Sequence, residues 1–199
     1  MNRTRAMIYC GLFAALIAVG AFIRIPIPVV PFTLQYLFTM LAGLLLGPRY
    51  GAAAVAVYMA LGLAGLPIFS EGGGLFYVLK PSFGYIPGFC LGAWVTGSIA
   101  SRRRDWAMGR TLAANFAGLM TVYAVGMAYY YAISNWIINV PIAAGPLFMY
   151  CFVLAVPGDI CLCLLAALVA RRVGPMFDRM IATGASASAG GVGQKGAQV

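Results

Sequence analysis

Long apolar runs, separated by short polar or basic segments, constrain the fold of this chain more than any other feature. A membrane-spanning helix needs about 20 predominantly apolar residues, with a range of roughly 17–25. Six runs fit or approach that length. They predict an all-α membrane protein with six transmembrane helices. The predicted spans are 7–23, 32–46, 51–66, 84–100, 111–133 and 148–170.

The second and third spans are short, and only the four residues Gly47-Pro48-Arg49-Tyr50 separate them. Gly and Pro interrupt helices, and the arginine adds a charge at the same point. The sequence therefore predicts a helix break here. Two spans joined by a tight turn are one interpretation, and a pair of re-entrant or half-spans is the alternative.

The composition is that of an integral membrane protein. Hydrophobic residues make up 63% of the chain and charged residues only 9%, whereas soluble domains average about 25% charged residues. The net charge of +9 would suggest a nucleic-acid partner in a soluble protein. Here the basic residues lie between apolar spans. We therefore expect contact with the lipid bilayer and none with nucleic acid.

The basic residues also predict the orientation of the chain. With the N-terminus in the cytoplasm, 11 of the 13 Lys and Arg residues fall in inner segments, and Arg24 and Lys80 fall outside. Inner loops of membrane proteins carry such an excess. Both termini are therefore predicted to be cytoplasmic, in a multi-pass protein of the bacterial inner (plasma) membrane whose first span stays uncleaved. Residues 1–181 form the predicted transmembrane domain, and 182–199 form a disordered cytoplasmic tail rich in Gly, Ala and Ser.

Asp159 stands at the middle of the last predicted span, with eleven residues of that span on either side. A carboxylate at the bilayer centre costs about 2.5–3.5 kcal/mol on insertion scales. Residues kept there at that cost usually face a bundle interior or a cavity. Asp159 is therefore a candidate ligand-binding residue. The alternative is a structural aspartate that caps a helix restart after Pro157-Gly158.

Several kinds of chemistry have no residues to support them. The chain contains no histidine and no G-x-x-x-x-G-K-[ST] run, so the commonest general base and an ATP-binding P-loop are both missing from it. Its acidic residues include no second carboxylate at the depth of Asp159. We therefore expect no catalytic residue, no metal site and no cofactor, and we predict binding or transport rather than catalysis.

Two segments predicted to lie outside the membrane could form a binding site. Three prolines in 25–31 favour an extended, stiff chain that leads into Gln35, near the outer end of span two. Gln35 is either a ligand contact or a helix–helix hydrogen-bond partner. The second outer segment, 65–85, is about twenty residues long, and loops of that length are usually functional. Its glycines allow close approach of backbone to a ligand. Lys80 either meets a ligand carboxylate or anchors at the headgroups.

The order of several segments resembles the BioY family, whose members are the biotin-binding S components of energy-coupling-factor (ECF) transporters. The resemblance covers roughly residues 4–172, and its segments are specific in combination. They are 25–35, 41–49, 62–69, the Gly-rich outer loop, 81–89 and Pro157-Gly158-Asp159.

The resemblance implies a six-helix bundle that binds biotin from outside and couples to a transmembrane T component and two ATPase subunits. Gln35 and Asp159 match positions that form the biotin site in this family. We expect that site to be built from Gln35, Gly73, Gly74, Lys80, Ser82, Tyr85 and Asp159. Small residues in helix one contact the T component in this family, and the matching residues are Gly11, Ala14, Ala15 and Ala18.

One position departs from the family pattern, because Leu162 stands where many members carry a lysine three residues after the Asp of Pro-Gly-Asp. A basic partner for the ligand carboxylate is therefore missing from span six, and Lys80 is a candidate replacement. Two other functions stay open at this point. One is an S component for another small vitamin, and the other is a small intramembrane enzyme that uses Asp159 with Glu71.

Overall fold

The computed structural model of the chain describes residues 3–25, 32–102, 105–138, 140, 142–153 and 155–193, without the side chains of 25, 32 and 181–193. Helices dominate these residues, and the predicted all-α class is confirmed. The helices are α1 (Arg3–Phe22), α2 (Gln35–Leu63), α3 (Tyr85–Ala100), α4 (Met108–Trp136), α5 (Ala144–Phe148) and α6 (Val156–Gly193). Among the described residues, five segments are long and apolar enough to cross a membrane: Arg3–Phe22, Gln35–Leu63, Pro81–Ala100, Met108–Trp136 and Ala144–Met180.

This count is five rather than six because the second and third predicted spans both belong to α2, which folds back on itself. Gly47 has φ 80° and ψ −178°, far from helical values. The residue before a proline is disfavoured in the helical region, and Pro48 suits the first position of the next helical segment. A Cβ atom on Gly51 would lie 2.8 Å from the Cα atom of Gly43. The segments on either side of Gly47 therefore pack side by side as two arms.

The two arms of α2 pack against α3, which in turn packs against α4. Glycines allow this close approach. A Cβ atom on Gly97 of α3 would lie 2.6 Å from the backbone nitrogen of Pro48, and one on Gly43 would lie 2.6 Å from the carbonyl oxygen of Ala93. The backbones of α2 and α3 are thus in direct contact at the turn between the arms.

The last predicted span, 148–170, is not one continuous helix. The short α5 ends at Phe148, a π-helical turn covers Met149–Val153, and α6 begins at Val156. The span itself is supported, because Ala144–Met180 is long and apolar enough to cross a membrane, but the helix restart that the sequence suggests after Pro157-Gly158 lies at Val156. Because α6 restarts at Val156, Asp159 lies in its first turn.

The region beyond residue 180 was predicted to be a disordered tail. Helix α6 is continuous to Gly193, but the side chains of 181–193 and the residues 194–199 lie outside the described part of the chain. The domain boundary at residue 181 and the disorder of 182–199 stay predictions.

The outer segments are partly ordered by short backbone pairing. Strand β1 (Arg24–Ile25) pairs antiparallel with β2 (Phe32–Thr33), with Arg24 opposite Thr33. The predicted second span therefore begins at Gln35 and not at residue 32. The proline-rich segment 26–31 between the strands lies outside the described residues.

The second outer segment, 65–85, forms two 3-10 turns, Leu75–Leu79 and Pro81–Gly84, that lead into α3. Phe69 from this segment is almost fully buried. Its ring fills the space beside Gly62, where a Cβ atom would lie 2.2 Å from the ring. This outer segment is thus packed onto the end of α2.

Candidate functional site

A cavity lies between the N-terminal ends of α2, α3 and α6 and the second outer segment. The cavity and its open mouth together hold about 750 Å³ of empty space. Three helix N-terminal regions meet at this cavity, those of α2, α3 and α6. The described residues that line it are Thr33, Gln35, Tyr36, Ser70, Tyr77, Ser82, Tyr85, Ile86, Phe89, Leu119, Val122, Tyr123, Tyr150, Cys151, Ala155 and Asp159.

The cavity brings together four of the seven residues that the sequence predicts to contact a ligand. Gln35 and Tyr85 are the first residues of α2 and α3, Ser82 lies in the 3-10 turn before α3, and Asp159 lies in the first turn of α6. They come from segments far apart in the chain. They converge because the starts of these three helices surround the same cavity.

Of the described residues that line the cavity, Asp159 is the one with a charged side chain. Tyr123, from the middle of α4, donates its hydroxyl proton to Oδ2 of Asp159. A carboxylate in the first turn of a helix also interacts favourably with the helix dipole. The helix restart comes before Pro157, so Asp159 lies within the first turn rather than capping it. Asp159 therefore supports the start of α6 and presents a carboxylate to the cavity.

Gln35 is buried and makes hydrogen bonds on both sides of its amide. Nε2 donates to the hydroxyl oxygen of Tyr58 at 2.6 Å, and the Thr33 hydroxyl donates to Oε1 at 3.3 Å. Tyr58 lies on the other arm of α2, so the predicted helix–helix hydrogen bond is present. Since Gln35 also lines the cavity, the two alternatives for this residue are compatible.

Aromatic and aliphatic side chains form the walls of the cavity. The rings of Tyr36 and Phe89 stack with centroids 6.1 Å apart, and those of Tyr85 and Tyr123 meet edge to face at 6.5 Å. Among the described residues, the buried Tyr85 hydroxyl has no hydrogen-bond partner of ordinary geometry, although it interacts with the Cys151 thiol. A polar group on a bound ligand would satisfy it.

The other three predicted ligand contacts do not line the cavity. Lys80 Nζ lies 3.1 Å from Oε2 of Glu71 in an exposed ion pair and 5.1 Å from the centroid of the Tyr77 ring. A Cβ atom on Gly73 would lie 2.1 Å from the carbonyl oxygen of Leu66, and Gly74 has a φ of 99°. These glycines are therefore needed for the backbone path of the segment, and the predicted ligand contacts of all three residues stay predictions.

Arg24, the other basic residue predicted to lie outside, is closer to the cavity. Its Nη1 atom donates to the carbonyl oxygen of Ser70 at 2.5 Å, and its backbone pairs with Thr33. Both Ser70 and Thr33 line the cavity. The guanidinium group of Arg24 therefore lies beside Ser70, a residue of the cavity lining.

Sequence reasoning missed most of the aromatic lining, including Tyr36, Phe89 and Tyr123. Two signals were present: Tyr36 adjoins Gln35, and Phe89 follows Tyr85 by four residues and so shares its helix face. Tyr123 carries no local signal, because many tyrosines occur in the apolar spans. Of the aromatic residues in the second outer segment, Tyr77 lines the cavity, whereas Phe76 is 86% exposed.

The predicted partner-contact residues of α1 do not share one environment. Gly11 and Ala15 are exposed and Ala18 is half-buried, but Ala14 is only 4% exposed and belongs to the core. The structure thus separates Ala14 from the other three. Leu162, at the position of the missing lysine, is also buried in the core.

Comparison with known proteins shows that the sequence is similar to one family. The model of the BioY family matches residues 1–179. The probable biotin transporter BioY of Lysinibacillus sphaericus is 44% identical over 174 residues, which are 87% of this chain and 89% of that protein. The biotin transporter BioY of Rhodobacter capsulatus is 36% identical over 170 residues, covering 82% of this chain and 90% of that protein.

A solved structure has the same fold. The crystal structure of the S-component for biotin from an ECF-type ABC transporter superposes with a TM-score of 0.72 at 28% sequence identity. The match covers 87% of this chain and 94% of that one. The resemblance drawn from the sequence is confirmed by these similarities.

Proposed function

Because the chain belongs to the BioY family, we propose that it is the membrane subunit that binds biotin and mediates its uptake. The observation that carries this function is the cavity with Asp159 and Gln35 inside aromatic walls, in a fold that matches the S-component for biotin. This role consists of binding and translocation and requires no catalytic residue.

The groups in the cavity suit the chemistry of biotin. Biotin has an apolar ring and chain, a ureido group with two N–H donors and one carbonyl, and a carboxylate. Oδ2 of Asp159 already accepts from Tyr123, which leaves Oδ1 to accept from a ureido N–H. The Tyr85 hydroxyl donates to the ureido carbonyl. Tyr36 and Phe89 cover the apolar ring.

The carboxylate of biotin needs a different partner here, because Leu162 is apolar and buried. Arg24 binds it in our proposal, since its guanidinium group lies beside Ser70 of the cavity lining and has N–H donors other than the one bonded to Ser70. Lys80 is the alternative. It would first have to leave Glu71. Backbone N–H groups near Gly73 and Gly74 would contribute if the outer segment closes over the ligand.

The proposed topology has six membrane crossings with both termini in the cytoplasm of a bacterial cell. The close packing of Gly43 with Gly51 supports two antiparallel crossings within α2. At 1.5 Å per residue the 12 residues from Gln35 to Leu46 rise about 18 Å, less than the roughly 30 Å hydrocarbon layer. With the turn at Gly47 at the inner face, Gln35 lies below the outer surface. The cavity above it then opens outward.

Transport requires energy that this chain does not supply itself, because its sequence contains no P-loop. Because the chain belongs to the BioY family, an ECF T component and ATPase subunits are its proposed partners. The exposed face of α1 at Gly11 and Ala15 is the proposed contact with the T component.

Equilibrium binding of labelled biotin to the purified protein in detergent tests this function. Saturable binding of biotin is expected, and none of riboflavin or thiamine. Saturable binding of one of those two vitamins instead would make the chain an S component for another ligand. No binding by a monodisperse, helical sample would overturn the proposal.

A further inference from the structure

A chain of hydrogen bonds connects the cavity with the second outer segment through the buried Tyr58. Gln35 Nε2 lies 2.6 Å from the Tyr58 hydroxyl oxygen, and this oxygen lies 3.1 Å from the carbonyl oxygen of Ile68. Tyr58 is fully buried. It does not line the cavity, and Gln35 is the lining residue to which its hydroxyl group is hydrogen-bonded.

The chemistry of these groups fixes the direction of each bond. A backbone carbonyl only accepts hydrogen bonds, so the single hydroxyl proton of Tyr58 points to Ile68. The Tyr58 oxygen must then accept from Gln35, and the amide atom facing it must be the nitrogen. Oε1 of Gln35 consequently lies on the other side, where the Thr33 hydroxyl donates to it at 3.3 Å. Thr33 lines the cavity, as Gln35 does.

We propose that Tyr58 is a positioning residue that holds the Gln35 amide with its oxygen toward the cavity and thereby selects a ligand with an N–H donor at that point. This inference rests on the proposed function. Asp159 and Gln35 then both present acceptors to the ligand, which matches the two N–H donors of a cyclic urea. Without the Tyr58 hydroxyl the amide is free to turn over and present its nitrogen.

The ring of Tyr58 has a separate, structural role. It packs edge to face on Phe69, with centroids 5.4 Å apart. Tyr58→Phe keeps this ring and removes only the hydroxyl group. The substitution therefore tests the orientation of the Gln35 amide while the packing of the core is kept.

The test compares biotin with its two N-methyl isomers, in which one or the other ureido nitrogen has lost its proton. A site that hydrogen-bonds a ligand N–H rejects the analogue that lacks it. The original protein should prefer biotin over the isomer methylated at the nitrogen facing Gln35 by about tenfold or more. In Tyr58→Phe this preference should fall by at least about threefold. A purely structural role of Tyr58 would weaken both ligands equally and leave the preference unchanged.

A matched control is Tyr129→Phe. The Tyr129 hydroxyl also donates to a carbonyl of the second outer segment, that of Val78, and its ring packs on Phe83. Tyr129 is not among the described residues that line the cavity, and its hydroxyl group bonds Val78 rather than Gln35. Its removal should loosen the outer segment without changing the preference between biotin and either N-methyl isomer.

Two further variants keep the proposal open to refutation. In a Gln35→Ala background, Tyr58→Phe should change the dissociation constant for biotin by less than about twofold, because coupled residues are not additive. Thr33→Val removes the donor to Oε1 and should lower the same preference on its own. If Tyr58→Phe and Thr33→Val both still bind biotin and both keep the original preference for biotin over the N-methyl isomer, the positioning role of Tyr58 is overturned and the proposed function is not. Loss of biotin binding in the unaltered protein would instead overturn the proposed function.

Discussion

Tyr123, midway along α4, donates its hydroxyl proton to Oδ2 of Asp159 in the first turn of α6. The two residues are 36 positions apart, and their bond holds the restarted helix against α4. The same bond engages one of the two carboxylate oxygens of Asp159 with a group of the protein itself. The carboxylate is therefore fixed in place while its other oxygen stays available to a ligand.

Asp159→Asn should weaken biotin binding by roughly ten- to a hundredfold. The substitution keeps the shape of the side chain but removes its charge, and hydrogen bonds to charged groups contribute about 1.5–3 kcal/mol. Equilibrium binding in detergent measures the change. The matched control is Asp105→Asn between α3 and α4, which also removes one hydrogen-bonded carboxylate and should leave affinity within about twofold. Unchanged affinity in a folded Asp159→Asn protein would give Asp159 a structural role only.

Arg24→Gln should weaken binding of biotin, but not of biotin amide, whose side chain carries no charge. Exposed ion pairs contribute up to about 1 kcal/mol, so the expected loss for biotin is about two- to fivefold. Competition binding with both ligands gives the comparison. Lys80→Gln is the parallel variant, because it removes the other outer positive charge. A selective loss of biotin in Lys80→Gln and not in Arg24→Gln would assign the carboxylate to Lys80.

The fold was predictable where a residue type interrupts an apolar run. Gly47 before Pro48 marked the break within α2, because glycine tolerates a positive φ and the proline disfavours helical backbone at the residue before it. The errors occurred where the break is itself apolar. Phe32 begins a run that looks helical but pairs as a strand with Ile25, and Met149–Val153 forms a π-helical turn that hydrophobicity alone does not distinguish.

The site was predictable where function requires an unusual residue in an apolar setting. Asp159 and Gln35 met that condition, and both line the cavity. Tyr58 and Tyr123 did not, since a tyrosine in a span faces lipid, core or cavity with no difference in local sequence. Tertiary packing determines which face of α4 contacts α6, and the local sequence of α4 does not indicate that face.

Gly97→Ala should destabilise the protein by about 1–3 kcal/mol, the usual effect of overpacking. The added methyl group would lie 2.6 Å from the nitrogen of Pro48 and 2.8 Å from the carbonyl oxygen of Gly43, and backbone atoms cannot turn aside. Gly109→Ala in α4 is the control, because nothing lies within 4 Å of its Cβ position and alanine favours helix. Thermal unfolding in detergent should show a lower midpoint for the first variant and an equal or higher one for the second. Equal midpoints for Gly97→Ala and the original protein would contradict the tight contact of α2 with α3.

Ala15→Trp should abolish biotin uptake while leaving biotin binding intact. Ala15 is exposed on α1, and a bulky side chain there should block the close approach of a partner helix. The proposed ligand contacts lie in other elements. Co-purification with a T component, cellular uptake and binding in detergent give the three readouts.

Two control substitutions distinguish loss of a partner contact from damage to the core and from a change at another exposed position. Ala14→Trp, one residue away, introduces the same side chain at a position that is 4% exposed, so it should destabilise the bundle and reduce biotin binding as well. Leu91→Trp lies on α3, where the leucine is 48% exposed, and should affect neither binding nor uptake. Because all three variants carry one added tryptophan, only contact with a partner explains a loss confined to uptake. Full uptake and normal co-purification with Ala15→Trp would remove this face of α1 from the coupling surface.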